Sequence, residues 1–221
     1  MSIVLTTEED REREVRPYPF QVEALKKIKM FRGRALLALD PGLGKTLISL
    51  FFLKLNPPIL CPSLIVCPAV VKFFWQREAS RLGLSSIVLE GRNPKEEAQS
   101  LKNYNITIVN YDILGNRLEQ LSSIGYKTLI VDESHYIASH KTIRTKSVLQ
   151  LGRRIPYVLA LSGTPLVNRP IEIYNTVQLL NPKLFPSRWN FAKRYCNAKL
   201  TPWGWDFRGA SNLEELNRIL L

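Results

Sequence analysis

The sequence is poor in the residues that build cross-links and metal sites. Among its 221 residues are three cysteines and two histidines. Cys61, Cys67 and Cys196 form no CxxC pair and lack the histidine spacing of a zinc site, which excludes a disulfide scaffold and a structural zinc centre. So small and odd a number is typical of a reducing compartment, where we expect the thiols to be buried as small apolar side chains.

Long apolar runs are missing as well. No stretch reaches the ~20 apolar residues that cross a bilayer. Residues 1–14 are acidic and polar, whereas a secretory signal begins with a basic stretch and continues with an apolar one. We therefore expect an intracellular protein that has no membrane partner.

Acidic residues are outnumbered by basic ones. The chain has 31 Lys and Arg against 19 Asp and Glu, a net charge of +12 and a pI near 9.8. This excess favours a polyanionic partner such as nucleic acid, although a basic surface also serves solubility. The basic residues are scattered rather than collected in a tail, so nucleic acid would bind a folded face. We expect the cluster Lys26–Arg34 to be a solvated helix face, with contact to DNA phosphates as the alternative.

Short apolar segments rich in β-branched residues alternate with helical patterns. Most of the apolar segments are hydrophobic at consecutive positions, as in strands that are covered on both faces. Such alternation predicts an α/β fold, with a mainly parallel sheet flanked by helices. The predicted strands are Ala35–Leu39, Leu64–Cys67, Ser86–Leu89, Ile106–Asn110, Thr128–Val131 and Tyr157–Leu161. The predicted helices are Gln21–Phe31, Lys45–Leu55, Val70–Arg81, Lys95–Lys102, Leu114–Ser122, Ile143–Leu151 and Glu172–Leu180.

The alternation stops after residue 180. Residues 181–206 are rich in proline, tryptophan and other aromatics and have weak periodicity. We therefore divide the chain into an N-terminal extension (1–15), a main domain (16–180) and an irregular, aromatic-rich C-terminal extension (181–221). Trp203 and Trp205 either anchor this extension by packing or stack on nucleobases. We favour packing because the pair lies beside Pro202.

The segment from residue 35 to residue 46 predicts a phosphate-binding loop. A buried strand runs into a glycine turn and then directly into an apolar helix, whose first backbone amides can cradle phosphate oxygens. In this pattern Lys45 reaches the β- and γ-phosphates and the hydroxyl of Thr46 ligates Mg²⁺. Leu39 replaces the first glycine of the strict motif, and the alternative is an ordinary turn before a helix. The predicted nucleotide-binding residues of the loop are Pro41, Gly42, Leu43, Gly44, Lys45, Thr46 and Leu47.

A second acidic motif follows the predicted strand Thr128–Val131. Asp132 can hold Mg²⁺, and Glu133 can orient or deprotonate the attacking water. An Asp-Glu pair at a strand end is usually a solvated turn, but here it supplies the second part of a mechanism that the loop begins. We predict that Lys45, Asp132 and Glu133 are catalytic, that Thr46 and Asp132 hold the metal, and that the cofactors are ATP and Mg²⁺.

With these motifs the chain resembles the helicase-superfamily-two ATPases, and within them the SWI/SNF branch of double-stranded DNA translocases. Over about residues 16–221 further family blocks follow in the expected order. Pro19-Phe20-Gln21 resembles the Q motif, Leu64–Ala69 with Trp75 resembles motif Ia, Ile106–Tyr111 resembles motif Ib, and Leu161–Pro165 resembles motif III. Arg194–Lys199 followed by Pro202–Phe207 resembles the HepA-related annealing helicases.

The resemblance implies a RecA-like P-loop NTPase domain and a DNA-dependent ATPase that grips duplex DNA without reading its sequence. Gln21 would read the adenine, the alternative being an exposed residue at a helix start. His135, Ser162, Gly163 and Thr164 would couple nucleotide state to DNA grip, although His135 also fits a core histidine. The implied DNA contacts are Pro68, Ala69, Lys72 and Tyr111.

The chain departs from the family pattern in ways that bear on location and activity. Leu39-Asp40-Pro41 replaces an acidic-acidic-Met sequence, a variant that resembles viral and bacterial members. We therefore expect the cytoplasm or nucleoid of a prokaryote, or a virus-infected cell, rather than the nucleus. Family members have two RecA-like lobes, and all the family blocks named above belong to the first. The arginine fingers of the second lobe increase the rate of hydrolysis by roughly 10³–10⁵-fold.

We accordingly expect this chain to bind ATP but to hydrolyse it slowly. The second lobe would be supplied by a longer chain or by a separate one. Two alternatives stay open: a motor subunit of a restriction or repair complex, and a non-catalytic module that binds nucleotide and DNA. If the chain is instead the ATP-binding lobe of a SWI/SNF-like DNA translocase, as we expect, its role would be DNA annealing or remodelling.

Overall fold

The computed structural model describes residues 15–94, 96–163 and 169–220. Its main body is a parallel sheet of six strands in the order β1-β6-β5-β2-β4-β3. The strands are β1 (Arg34–Ala38), β2 (Ser63–Cys67), β3 (Ser86–Val88), β4 (Ile106–Asn110), β5 (Thr128–Val131) and β6 (Tyr157–Ser162). All six predicted strands are confirmed within one residue at each end.

Nine α-helices flank this sheet among the described residues. They are α1 (Pro19–Met30), α2 (Lys45–Leu55), α3 (Pro57–Leu60), α4 (Lys72–Arg81), α5 (Ala98–Leu101), α6 (Tyr111–Leu114), α7 (Leu118–Ser122), α8 (Ile143–Gly152) and α9 (Tyr174–Leu180). The helix predicted over 114–122 is wrong at its start, because a division at residues 115–117 separates α7 from α6, to which only Leu114 of the predicted range belongs. At the division Gly115 lies so close to α8 that an added Cβ would come within 2.5 Å of the Ile143 side chain. None of the described helices has the length and apolar character needed to cross a bilayer.

The core lies on both faces of the sheet, as the consecutive apolar residues predict. Along β2, Ile65 and Cys67 belong to one hydrophobic cluster and Leu64 and Val66 to another. The first cluster is completed by α1, α2 and α4, and the second by α6, α7 and α8. Because side chains alternate along a strand, both faces of β2 are covered and its whole length is buried.

The C-terminal extension is more regular than its sequence predicts. It contains α10 (Arg188–Tyr195), an antiparallel hairpin of β7 (Lys199–Thr201) and β8 (Gly204–Asp206), and α11 (Leu213–Leu220). A small aromatic core joins Phe191, Tyr195 and Leu216 to α9. These elements are too short to show a period, and packing among aromatic rings stabilises them instead.

The two tryptophans of the hairpin have different environments. Trp205 is 46% exposed, but its ring packs edge to face on Trp189, with ring centroids 4.6 Å apart, so the predicted packing holds for one side of Trp205. Trp203 occupies the two-residue turn and is 96% exposed. Packing was therefore the wrong prediction for Trp203.

Candidate functional site

The predicted phosphate loop is a tight turn between β1 and α2. Gly42 and Gly44 have φ values of 86° and 73°, a region that glycine enters without steric cost. Gly44 directly precedes α2, and no described side chain caps this helix. The first amides of α2 lack partners within the helix. Together with the helix dipole they form a site for an anion.

The ammonium of Lys45 folds back over the loop. Its Nζ donates to the carbonyl oxygens of Leu39 at 2.7 Å and Asp40 at 3.3 Å. Gly163, which follows β6, lies beside it, since an added Cβ there would be 3.7 Å from the Lys45 Nζ. The ammonium thus binds two neutral carbonyl oxygens, whereas in the phosphate-loop motif it binds the phosphates of the nucleotide.

Strand pairing brings the predicted coupling segment to the loop. β6 pairs with β1 so that Ser162 lies opposite Ala38, and Gly163 comes next in the chain. Ser162 is buried. Thr164, the last predicted coupling residue, lies outside the described residues.

Asp132 is a half-buried residue that directly follows β5, at the carboxyl end of the strand. Burial raises the pKa of Asp132 because it disfavours the charged form, while a hydrogen bond from Trp75 and the positive charge of Lys45 act in the opposite direction. One carboxylate oxygen, Oδ1, accepts a hydrogen bond from the backbone amide of Glu133 at 3.0 Å. Since β1, β6 and β5 are adjacent and parallel, the two predicted motifs lie at the same edge of the sheet.

Glu133 lies in a left-handed backbone conformation with φ of 49°, which is uncommon outside glycine and concentrates at functional sites. Its Oε2 lies 3.2 Å from the Nδ1 of His135, and both side chains are partly exposed. The exposure of His135, about half of its side chain, excludes the core-histidine alternative. Glu133 therefore faces solvent, where a general base must meet its water.

Gln21 connects α1 to the phosphate loop. Its Oε1 accepts a hydrogen bond from the backbone amide of Tyr18 at 3.0 Å, and its Nε2 lies 3.5 Å from the carbonyl oxygen of Leu43. The residue is 2% exposed, so the alternative of an exposed residue at a helix start is wrong. Adenine recognition by Gln21 stays a prediction.

The available ligands fit Mg²⁺ that arrives with phosphates. Among the described residues no group of three or more His, Cys, Asp and Glu side chains could hold a metal by itself. Thr46 lies in the first turn of α2 and Asp132 directly follows β5, so the predicted ligands are one hydroxyl and one carboxylate. Mg²⁺ prefers oxygen ligands and is usually held by one or two carboxylates together with substrate phosphates and waters.

Two hydrogen bonds to Asp132 were not predicted from the sequence. The indole Nε1 of Trp75 donates to Oδ2 of Asp132 at 2.9 Å, and the hydroxyl of Tyr111 donates to its carbonyl oxygen at 2.6 Å. Both donors are buried. The family blocks that contain Trp75 and Tyr111 are visible in the sequence, but their contact with Asp132 depends on strand order.

The predicted DNA-binding residues lie at the same edge of the sheet. β2 pairs with β4 so that Cys67 lies opposite Asn110, which puts the segments after these strands side by side. Ala69 is exposed. The side chain of Lys72 is 12% exposed, with its Nζ 3.8 Å from a Glu90 carboxylate oxygen, and Tyr111 is 3% exposed. The side chains of Lys72 and Tyr111 therefore do not project freely into solvent. Pro68 is half-buried.

Comparison with known proteins identifies the family. A model described as the SNF2-related domain matches residues 22–220. The chain belongs to the SNF2-related domain family. It is therefore an SNF2-type, helicase-like ATPase domain, as predicted.

Relatives of this SNF2-related domain support the finer resemblance. A Xenopus laevis protein named SWI/SNF-related matrix-associated actin-dependent regulator of chromatin subfamily A-like protein 1 is 38% identical over 207 residues, which are 91% of this chain and 21% of that protein. The human DNA annealing helicase and endonuclease ZRANB3 is 32% identical over 216 residues, 91% of this chain and 20% of that protein. The chain thus spans about a fifth of the length of the curated relatives it matches.

The solved structure of the Sulfolobus solfataricus SWI2/SNF2 ATPase core in complex with dsDNA has the same fold. It superposes with a TM-score of 0.76 and 28% identity, over 93% of this chain and 43% of that one. The predicted RecA-like fold and the resemblance to annealing helicases are therefore confirmed.

The predicted location is wrong. The curated relatives come from animals, among them frogs, cattle, human, worm and fly, and several carry chromatin in their names. These matches point to the nucleus rather than to a prokaryote or a virus-infected cell. The Leu39-Asp40-Pro41 variant was a poor indicator because three loop residues carry little information beside a similarity that extends over 91% of the chain.

Proposed function

We propose that this SNF2-related domain is the ATP-binding lobe of a DNA-dependent ATPase that translocates along double-stranded DNA. The observation that carries the proposal is that β1, β6 and β5 are adjacent and parallel, so the loop lysine after β1 and the carboxylate of Asp132 after β5 lie at the same edge of the sheet. Lys45 and Asp132, although distant in sequence, are therefore proposed to form one site. Such a pair is what binding of a Mg²⁺-nucleotide requires.

Each residue of the site has a role in this proposal. The amides at the start of α2 bind the phosphates, and Lys45 exchanges the carbonyls of Leu39 and Asp40 for phosphate oxygens, which are stronger partners because they are charged. Thr46 and Asp132 hold Mg²⁺, which when bound neutralises charge on the phosphates. Glu133, beside His135, orients the attacking water.

Duplex DNA is proposed to lie across the segments that follow β2 and β4. Since the side chains of Lys72 and Tyr111 are engaged within the protein, backbone amides and the surface around Ala69 would supply most of the grip. A net charge of +12 adds a long-range attraction. Contacts of this kind bind phosphate without reading sequence.

We further propose that a second lobe completes the site. The chain covers 43% of the SWI2/SNF2 ATPase core that it matches, which leaves room for a partner lobe on a longer or a separate chain. Charge from that lobe would be needed for fast turnover. The 221-residue chain should therefore bind Mg·ATP and hydrolyse it slowly, with or without duplex DNA.

Two substitutions test the nucleotide site. Lys45→Ala should abolish Mg·ATP binding, and Glu133→Gln should preserve binding while it removes residual hydrolysis. Isothermal titration calorimetry measures the first effect and phosphate release the second, with Lys54→Ala in the same helix as the control for loss of charge. Normal ATP affinity in Lys45→Ala would refute the phosphate-loop assignment.

Salt dependence tests the DNA surface. Affinity for a short duplex of random sequence should fall steeply as salt rises, because phosphate contacts release counterions. Fluorescence anisotropy at several salt concentrations gives the slope, and a second unrelated duplex should give the same values. An affinity that does not change between low and moderate salt would contradict the proposal.

A further inference from the structure

Asp132 is held by two hydrogen bonds that come from neighbouring segments of the sheet edge. Trp75 lies in α4, which follows β2, and Tyr111 directly follows β4. β2 is hydrogen-bonded to β4 on one side and to β5, the strand that delivers Asp132, on the other. The two segments that are proposed to contact DNA therefore both reach the residue that is proposed to hold Mg²⁺.

The two bonds restrain different parts of Asp132. The Trp75 indole, which can only donate, binds the carboxylate oxygen Oδ2 at 2.9 Å. The Tyr111 hydroxyl binds the backbone carbonyl at 2.6 Å. The amide of Glu133 holds the other carboxylate oxygen, Oδ1. Together these contacts restrain both the position of the main chain and the direction of the carboxylate.

Both donors are also fixed by packing. Trp75 belongs to the hydrophobic cluster that includes α2 and α4, and it is fully buried. The Tyr111 ring stacks on Tyr136, with centroids 5.1 Å apart and planes 12° from parallel. A donor that is locked by packing can dictate the orientation of a metal ligand, and loss of such an outer partner typically reduces metal affinity by about 10–100-fold.

We propose that Trp75 and Tyr111 are positioning residues that set Asp132 for Mg²⁺ and couple it to the DNA-binding segments. The inference rests on the proposed function. Any shift of α4 or of the Tyr111 segment when DNA binds moves a donor to Asp132. Because coupling between two binding sites is reciprocal, Mg²⁺-nucleotide should change DNA affinity by the same factor as DNA changes nucleotide affinity.

The first experiment separates positioning from packing. Tyr111→Phe removes only the hydroxyl donor, whereas Trp75→Phe keeps an aromatic ring but removes the donor together with part of the buried indole. Affinity of the full chain for ADP is measured by calorimetry with Mg²⁺ and again with EDTA. Each variant should lose about tenfold in the Mg²⁺-dependent gain of affinity and keep the affinity found in EDTA.

Matched controls remove the same groups elsewhere. Trp189→Phe changes a tryptophan of the C-terminal extension that is 37% exposed, and Tyr126→Phe removes the hydroxyl of another buried tyrosine. Both should behave as the unsubstituted chain does. An unchanged Mg²⁺-dependent gain of affinity would overturn the proposal. If that unchanged gain is accompanied by an equal loss of affinity with Mg²⁺ and with EDTA, Trp75 and Tyr111 serve only packing.

The second experiment tests the coupling. The affinity for Mg·ADP is measured with and without saturating duplex DNA, and the ratio of the two values is the coupling factor. We expect a factor different from one in the unsubstituted chain, reduced toward one by Tyr111→Phe and unaffected by Tyr126→Phe. A factor of one in the unsubstituted chain, or an unchanged factor in Tyr111→Phe, would overturn the coupling.

These failures differ from failure of the proposed function. If Lys45→Ala retains nucleotide affinity, or if the chain does not bind duplex DNA, the proposed function itself is refuted. If nucleotide and DNA both bind as proposed and the donor variants behave as their controls do, only the roles of Trp75 and Tyr111 are refuted.

Discussion

The guanidinium of Arg34 joins the first residue of β1 to the ends of two helices. It makes five hydrogen bonds of 2.5–3.3 Å, and every acceptor is a backbone carbonyl. The acceptors belong to Gly152, Ile155, Pro156, Leu179 and Leu180. Gly152 ends α8 and Leu180 ends α9, so one positive charge serves the negative ends of both helix dipoles.

We expect Arg34→Met to lower the free energy of unfolding by about 3 kcal/mol. Hydrogen bonds to a charged group contribute about 1.5–3 kcal/mol each, but five bonds to one group are not additive. Arg34 is only half-buried, so water would replace some of the hydrogen bonds that the carbonyls lose. The expected change in the free energy of unfolding therefore corresponds to about two such bonds. Arg34→Lys keeps the charge but loses the planar guanidinium, so it should retain about half of the stability that Arg34→Met loses.

Urea denaturation followed by circular dichroism measures this change. The midpoint should fall while the slope of the transition stays constant, since the surface exposed on unfolding does not change. Arg154→Met is the matched control because Arg154 follows α8 and is exposed. The reasoning is refuted if Arg34→Met unfolds at the same urea concentration as Arg154→Met.

The remaining predictions concern a glycine of the phosphate loop and the two tryptophans of the hairpin. Gly44→Ala should weaken nucleotide binding by about tenfold or more, ~1.4 kcal/mol, because φ is +73° and the new Cβ would lie 2.5 Å from the Gln21 amide nitrogen. Gly83→Ala is the control, because Gly83 has the same φ but open space around the added Cβ. Calorimetry should show that Gly83→Ala binds nucleotide with unchanged affinity despite some loss of stability. Equal nucleotide affinities in the two variants would contradict the argument. Trp205→Ala should lower the free energy of unfolding by about 1–1.5 kcal/mol through the lost ring contact with Trp189. Trp203→Ala should change it by no more than about 0.5 kcal/mol, and a larger loss in urea denaturation would show that Trp203 packs after all.

The nature of the site follows from local sequence patterns. The strand, glycine turn and helix that contain Lys45 and Thr46 form a continuous segment, so their relation depends only on neighbouring residues. The same holds for β5 and Asp132, which directly follows it. Consecutive apolar residues predicted strands that are covered on both faces, and β2, β4 and β5 are buried along their whole length.

The C-terminal extension shows where local patterns fail. Its helices and hairpin are short, and what orders them is contact among aromatic rings that are distant along the chain, such as Phe185 with Tyr195 at 5.5 Å between centroids. The sequence shows that aromatic residues are abundant there but not which of them meet. It therefore could not distinguish Trp205, whose ring packs on Trp189, from Trp203, which is 96% exposed.

From its sequence alone this protein could be assigned an α/β fold, a phosphate loop, an acidic strand end and a family. The tertiary structure decided which groups surround those motifs. Arg34 is one of the basic residues expected on a solvated helix face, yet it binds carbonyls contributed by residues more than 100 positions away. Trp75 and Tyr111 reach Asp132 only because β2 lies between β4 and β5. Strand order is set by packing of the whole chain, whereas each motif is set by a few adjacent residues.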